Sequence, residues 1–223
     1  IRYHSNETTA RELTSTVGIL DASHISKLWI EQPLDHFNET ETRTWKMRYF
    51  ERLDFWKAKG PIYLFINGEG TASEVFLQTG ILYELAKETK GAMYLSEHRY
   101  YGKSKPFEKL STENLAYLSS RQALADVAKL LKEIKMSPEY NESKVVIVGG
   151  SYAGNLAAWM RLLYPELVDA AIAMDVDVTL LKFVIAAVFY IVPELIVTSN
   201  KTPSGASIKN AVLILLKLSL SFS

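Results

Sequence analysis

Residues 145–159 read VVIVGGSYAGNLAAW, a short β-branched run that ends in Gly149, Gly150 and Ser151 and passes into a helix-forming stretch. That pattern suits a nucleophilic serine. A sharp strand-to-helix turn lifts the hydroxyl clear of the backbone and sets it at the positive end of the following helix. The turn needs small neighbours, because the serine backbone is strained and the helix passes close behind it. Gly149, Gly150, Ala153 and Gly154 supply them. Against the spacing G-x-S-x-G, Ala153 stands where a second glycine is usual, and alanine is the mildest departure. The backbone N–H of Tyr152 is the natural first donor to an oxyanion. A second is expected from the loop Asn67-Gly68-Glu69-Gly70, where Gly68 lets the backbone approach. Asn67 and Glu69 are candidate substrate contacts. Glu69 either receives a substrate's amino terminus or organises its own loop. A phosphate-cradling loop fits less well, since no Lys follows these glycines in P-loop spacing and no G-x-G-x-x-G occurs.

Positioning such a serine requires a sheet. Strands are expected at residues 26–30, 44–50, 61–66, 92–96, 145–148 and 169–173. The run 61–66 is continuously apolar, as in a strand buried on both faces. The run 44–50 alternates, with Trp45, Met47 and Tyr49 on one side. Helices are expected over 73–88, 119–135 and 152–163. The second opens with Ser119 and Gln122 at capping-box spacing and carries the stripe Leu124, Val127, Leu131 and Ile134. Alternating strands and helices argue for an α/β fold with a mostly parallel sheet. The serine after the fifth strand and the glycine loop after the third both fit an α/β-hydrolase core. His98, at the end of the fourth strand, is read as a packing and hydrogen-bonding residue. Glu97 and Arg99 beside it are read either as a pair or as braces for the neighbouring loops.

Three segments follow: a polar lead-in at 1–25, the α/β-hydrolase-like core at 26–173, and an apolar tail of different character at 174–223. Within the tail, 180–197 carries Lys182, Pro193 and Glu194 and falls short of the roughly 20 apolar residues of an uninterrupted membrane span. A buried helix is expected there rather than a membrane segment. Net charge is zero, with 25 basic and 25 acidic residues fairly evenly spread, which speaks against a nucleic-acid partner. Cysteine is absent, so redox compartment cannot be read from disulfides. Sequons at Asn6, Asn38, Asn141 and Asn200 point instead to a secretory route. No metal or other cofactor is called for.

Several separate stretches, EQPLDHF, NGEG, EHRYYGKS, NLAYLSSRQALAD and VVIVGGSYAGNLAAWMRLLYPELVDAAIA, occur in order. Together they resemble the prolyl carboxypeptidase, dipeptidyl peptidase II and thymus-specific serine protease family, most strongly its invertebrate members. The resemblance runs from Leu28 to Ala173. It implies a secreted or lysosomal serine exopeptidase acting on peptides near a terminus, often after proline, with a helical cap over an α/β-hydrolase core and scope for a homodimer. It also implies that Ser151 is the nucleophile and Tyr152 an oxyanion residue. Family members usually read Gly-Gly-Ser-Tyr-Gly-Gly, so Ala153 departs from them. A larger departure begins at Met174.

The triad order in this fold is serine, then acid, then histidine. His4, His24, His36 and His98 all precede Ser151, and Asp169, Asp175 and Asp177 come too early to be the acid. Loss of the serine or histidine of such a triad costs about 10⁶-fold in kcat. The expectation is therefore the front portion of a hydrolase domain, ending before the last strands and without its cap, inactive on its own. The alternatives are a non-catalytic hydrolase-like secreted binding protein, a fragment from alternative splicing or an incomplete gene model, and a product held at a membrane by its apolar end.

Overall fold

A computed structural model describes residues 21–174 in full, together with the backbone of Leu195–Thr198 and Val212–Leu216. Asn6, Asn200 and most of the expected helix at 180–197 lie outside the described residues.

Among the described residues, eight strands form one sheet: β1 (Ile25–Pro33), β2 (Thr44–Arg52), β3 (Ile62–Ile66), β4 (Ala92–Ser96), β5 (Val145–Gly150), β6 (Ala170–Met174), β7 (Leu195–Thr198) and β8 (Val212–Leu216). Their order across the sheet is β1-β2-β4-β3-β5-β6-β8-β7. The centre, β4-β3-β5-β6, is parallel. Both flanks are antiparallel. Every residue of β3 and β4 is buried, which is why their sequences are continuous apolar runs with no alternation. The period of two survives only as a choice of face. Leu64, Ile66 and Tyr94 enter one core with Leu131 and Leu156. Phe65, Met93 and Leu95 enter the other with Leu77 and Leu82.

Among the described residues, three α-helices cover these faces: α1 (Ile81–Thr89), α2 (Ser120–Lys135) and α3 (Tyr152–Leu163). The single helix expected over 73–88 is two pieces, a 3-10 turn at Glu74–Leu77 and then α1. Gly80 divides them with φ of 88°, a conformation that glycine adopts without steric cost. Helix α2 starts as its capping residues suggest, with the Gln122 N–H donating to Ser119 Oγ at 3.2 Å. The Gln122 side chain does not reach back to complete the box. Its Oε1 accepts from the His36 N–H at 3.0 Å, and its Nε2 donates to Asp35 Oδ1. Tertiary partners have taken the amide that a local pattern would have used. The expected stripe Leu124, Val127, Leu131 and Ile134 is buried.

Strand β1 runs three residues beyond the expected 26–30, through polar Glu31 and Gln32. Gln32 is fully buried and its Nε2 donates to the Asp126 carbonyl at 3.0 Å. Such a residue belongs to a strand only because a partner across the core receives its amide. The tail also differs from expectation. Leu195–Thr198 is a strand rather than helix, and β8 pairs antiparallel with β6. Pro193 disfavours helix just before Leu195, and the open β6 edge offers unpaired backbone groups for a strand to satisfy. Among the described residues, no helix is long and apolar enough to cross a membrane.

Arg99 is fully buried. Its Nε and Nη2 meet the two Asp126 carboxylate oxygens at 2.6 and 2.8 Å, and its Nη1 donates to the Leu34 and Tyr117 carbonyls at 3.1 and 2.9 Å. Asp126 also bonds His36 Nε2 at 2.7 Å. One ion pair thus ties the β1–β2 loop, the loop after β4, and α2. Asp126→Ala should destabilise the chain by about 3–5 kcal/mol, because a buried guanidinium is left without its anion. Urea unfolding of both proteins measures this. A loss below about 1 kcal/mol, the scale of a surface pair, would show that the pair is dispensable.

Candidate active site

Strands β3 and β5 are neighbours although α1, β4 and α2 lie between them in sequence. The chain order reverses at this point, and ligands of open α/β sheets bind outside the carboxyl ends of strands at such a switch point. Here those ends are followed by Asn67–Gly70 and by Ser151.

Ser151 joins β5 to α3 with φ 54° and ψ −127°. For a residue with a Cβ this is strained, worth about 1–3 kcal/mol that surrounding contacts must offset. Those contacts are present. The Ser151 N–H donates to the Met174 carbonyl at 2.9 Å, and the Ser151 carbonyl accepts from the Gly154 and Asn155 N–H groups at 2.9 and 3.2 Å. The side chain is exposed. A Cβ on Gly149 would lie 2.1 Å from the Ala153 carbonyl oxygen, so the helix can turn back over β5 only if residue 149 is glycine. Ala153 fits for a complementary reason. Even a Cβ built on Gly68 would sit at an ordinary 3.5 Å from the Ala153 methyl, so the departure from glycine costs no space.

The same geometry brings the expected oxyanion loop to the serine turn. Gly68 faces Ala153 and Tyr152 across more than eighty residues of sequence: a Cβ built on it would lie 3.5 Å from the Ala153 methyl and 3.6 Å from the Tyr152 ring. Asn67 is buried and braces this loop, its Nδ2 donating to the Gly70 carbonyl at 2.8 Å and the Gly68 carbonyl at 3.3 Å. Glu69 is exposed, and no hydrogen bond or ion pair engages its carboxylate among the described residues. The loop is braced by the Asn67 amide, and the Glu69 side chain takes no part in that bracing.

The loop after β4 is held from beneath by Glu97. Its buried carboxylate takes both Arg48 Nε and Nη2 at 3.1 and 2.6 Å, the Ala72 and Lys103 N–H groups at 3.0 Å each, and Ser104 Oγ at 2.8 Å. The loops after β3 and β4 therefore share one anchor. The brace expected of Glu97 and Arg99 is real, but they do not pair with each other. Each is directed to a different element.

His98 is buried beside Tyr152. Its Nδ1 lies 2.7 Å from the Arg99 carbonyl, which can only accept, so Nδ1 carries the proton. Its Nε2 then accepts from the Tyr152 hydroxyl at 3.2 Å, and that hydroxyl lies 3.0 Å from Ser120 Oγ. Burial pushes the Tyr152 phenol up and the His98 imidazole down from their ordinary values. His98 thus sits near the serine turn but is committed to the tyrosine side chain. Among the described residues no side chain hydrogen-bonds the Ser151 hydroxyl. Glu69, His98, Tyr101, Leu118, Ser120 and Tyr152 line an open cleft of about 340 Å³ beside this turn. Ser120 and Tyr101 were not legible as cleft residues. Ser120 reads as part of a helix start, and Tyr101 as one of several aromatics in a loop.

A mixed sheet with a parallel centre, carrying a serine at a strained β5–α3 turn with a glycine loop from β3 beside it, defines an α/β hydrolase. The chain belongs to the serine carboxypeptidase S28 family, whose match covers residues 32–219 and so extends into the apolar tail. It is 38% identical to human lysosomal Pro-X carboxypeptidase over 162 residues, which is 70% of this chain and 33% of that protein. It is 40% identical over 156 residues to prolyl carboxy peptidase like protein 5 of Caenorhabditis elegans, covering 67% of this chain and 31% of that one. The chain thus spans about a third of the length of these relatives. Among solved structures, a carboxyl esterase from Bacillus coagulans superposes with a TM-score of 0.49 at 14% identity, over 74% of this chain and 50% of that one.

The depressed His98 basicity has a consequence for stability. Below the ordinary value of 6.5 the unfolded chain binds a proton at residue 98 that the folded chain resists. Stability therefore falls as pH drops through that window, and this contribution is flat above it. His98→Asn should make the fall shallower between about pH 7.5 and 5.5. Urea midpoints of the two proteins at both pH values provide the check, and parallel losses would assign the acid sensitivity elsewhere.

Proposed function

We propose that this chain carries the nucleophile half of a serine exopeptidase that hydrolyses peptide bonds near a terminus. Ser151 attacks the carbonyl. The Tyr152 N–H, at the start of α3, and the backbone at Gly68 stabilise the tetrahedral oxyanion. Asn67 positions the loop that presents Gly68. The observation that carries the reading is the strained Ser151 turn with Gly68 facing its first helical residues. Membership of a family of serine carboxypeptidases supplies the reaction class. The named relatives support peptide substrates and a lysosomal or secreted setting. Asn38 and Asn141 are exposed and fit as glycan acceptors in that setting.

Among the described residues no side chain stands as a general base to Ser151. All four histidines precede it, and His98 is held by the Arg99 carbonyl and Tyr152. Without a base the serine is a weak nucleophile, and binding plus an oxyanion hole leaves only about 10³–10⁴-fold over water.

Fluorophosphonate labelling tests both statements, because the probe reports an activated serine whatever the substrate. The natural gene product, captured with antibodies against the core, should label at Ser151 by peptide mapping. A recombinant polypeptide of residues 1–223 should label no faster than its Ser151→Ala variant. An unlabelled natural product would remove the peptidase reading. Strong, Ser151-dependent labelling of the recombinant chain would show that a base lies within these residues.

A further inference from the structure

Strand β1 is an edge of the sheet, and among the described residues it pairs only with β2. Two sets of bonds show which of its backbone groups are left over. The Leu34 N–H donates to the carbonyl of Arg43, which lies opposite it, so Leu34 and every second residue before it turn their groups toward β2. Arg48, opposite Trp29, agrees. Its N–H goes to Ser104 Oγ and its carbonyl takes the Glu97 N–H, both away from β1. Lys27, Trp29 and Glu31 therefore point their N–H and C=O groups off the sheet. Their side chains share one face, and all three are exposed, with Trp29 half open to water.

This free stretch is closed at both ends. Pro33 has no N–H, and the Ile25 N–H is taken by the Ala22 carbonyl at 3.1 Å. What remains carries a cation and an anion placed symmetrically about an aromatic. A second copy running antiparallel, related by a two-fold axis at Trp29, sets Lys27 of each copy against Glu31 of the other and Trp29 against Trp29. In this register every outward N–H of the three meets a carbonyl of the other copy. Opposite charges directly across a strand pair are favourable, and like charges are not. An axis at Lys27 or at Glu31 opposes like charges, and axes at Leu28 or Ile30 leave both charges facing uncharged residues. Each charge already has a neighbour in its own copy: Lys27 Nζ meets Glu74 at 2.8 Å, and Glu31 Oε1 accepts from the Thr44 hydroxyl at 2.5 Å. Such exposed contacts are weak and cost little to share.

We propose that β1 is a self-recognition edge, through which two copies of this chain join their sheets antiparallel about Trp29. The proposal is independent of the role of Ser151. A pairing confined to three residues of one strand is small beside a stable interface of about 1,200–2,000 Å², so the dimer forms and dissociates with concentration.

Sedimentation velocity of the full chain from about 1 to 100 μM tests it, and the parent should pass from monomer to dimer across that range. Lys27→Glu alone sets acids against acids across the axis, and Glu31→Lys alone sets cations against cations. Each should weaken dimerisation by roughly tenfold or more. Mixing the two variants should restore it, because one copy then presents two acids and the other two bases. The double variant Lys27→Glu/Glu31→Lys should associate with itself like the parent. Restoration in the mixture also shows that both single variants are folded. Amide hydrogen exchange gives a second reading, since Lys27, Trp29 and Glu31 should gain protection as concentration rises. A monomer throughout, a dimer indifferent to both single reversals, or a loss that the mixture does not restore would overturn the proposal. Protection of these three amides that does not change with concentration would mean that another segment of the same chain covers the edge, and would overturn it as well.

Discussion

The buried pair between Arg99 and Asp126 is the constraint on which the surroundings of the site depend. A guanidinium with no exposure to water is costly unless every donor is met and an anion lies against it. Here the anion comes from α2, and the other donors reach carbonyls of the β1–β2 loop and of the segment before α2. Three stretches far apart in sequence must converge for the charge to be tolerated. The Arg99 guanidinium also lies over the Trp45 ring, with its centre 5.4 Å from the ring centroid, which adds β2 to the same assembly.

Glu97, two residues earlier, applies the same logic to the opposite charge. Its carboxylate accepts two guanidinium bonds, two backbone N–H groups and one hydroxyl. A Cβ on Gly102 would fall 1.9 Å from one of its oxygens, so the loop closes around the acid only because residue 102 is glycine. Between the two ions His98 remains neutral and reaches the Tyr152 hydroxyl. Three consecutive polar residues at the end of β4 therefore face three directions. They hold the loop after β3, the start of α3 and the start of α2 in one arrangement. The strain at Ser151 can persist because its neighbours are fixed in this way.

Flat backbone accounting explains the glycine pattern around the nucleophile. Gly149 is required by the close passage of the Ala153 carbonyl, whereas position 153 itself has room for a methyl group. The two small positions flanking the serine are not equivalent. One is fixed by backbone contact, and the other only by how closely the β3 loop approaches.

The parallel strands, the two long helices and the serine turn were legible in the sequence because each leaves a local mark. Apolar runs mark buried strands, a period near 3.6 marks a helix with one buried face, and a cluster of small residues marks a tight turn. Gln32, Asp35, Gln122 and Asp126 left no such mark. Polar residues read locally as surface or caps, and the partners that hold these four lie 27 to 94 residues away in sequence. The break at Gly80 was equally hidden, because a glycine in a helical pattern is often tolerated and only its φ shows that the chain has turned. The pairing of β8 on β6 was hidden too, since short apolar runs do not distinguish helix from strand. By itself the sequence determined the α/β alternation, the family, and the residue that serves as candidate nucleophile. Only the tertiary structure decided that Glu69 is unpartnered in a cleft, that His98 is turned to Tyr152 rather than to Ser151, and that the buried ions bind the loops together. Those outcomes depend on distances between residues remote in the chain, and local pattern carries no information about such distances.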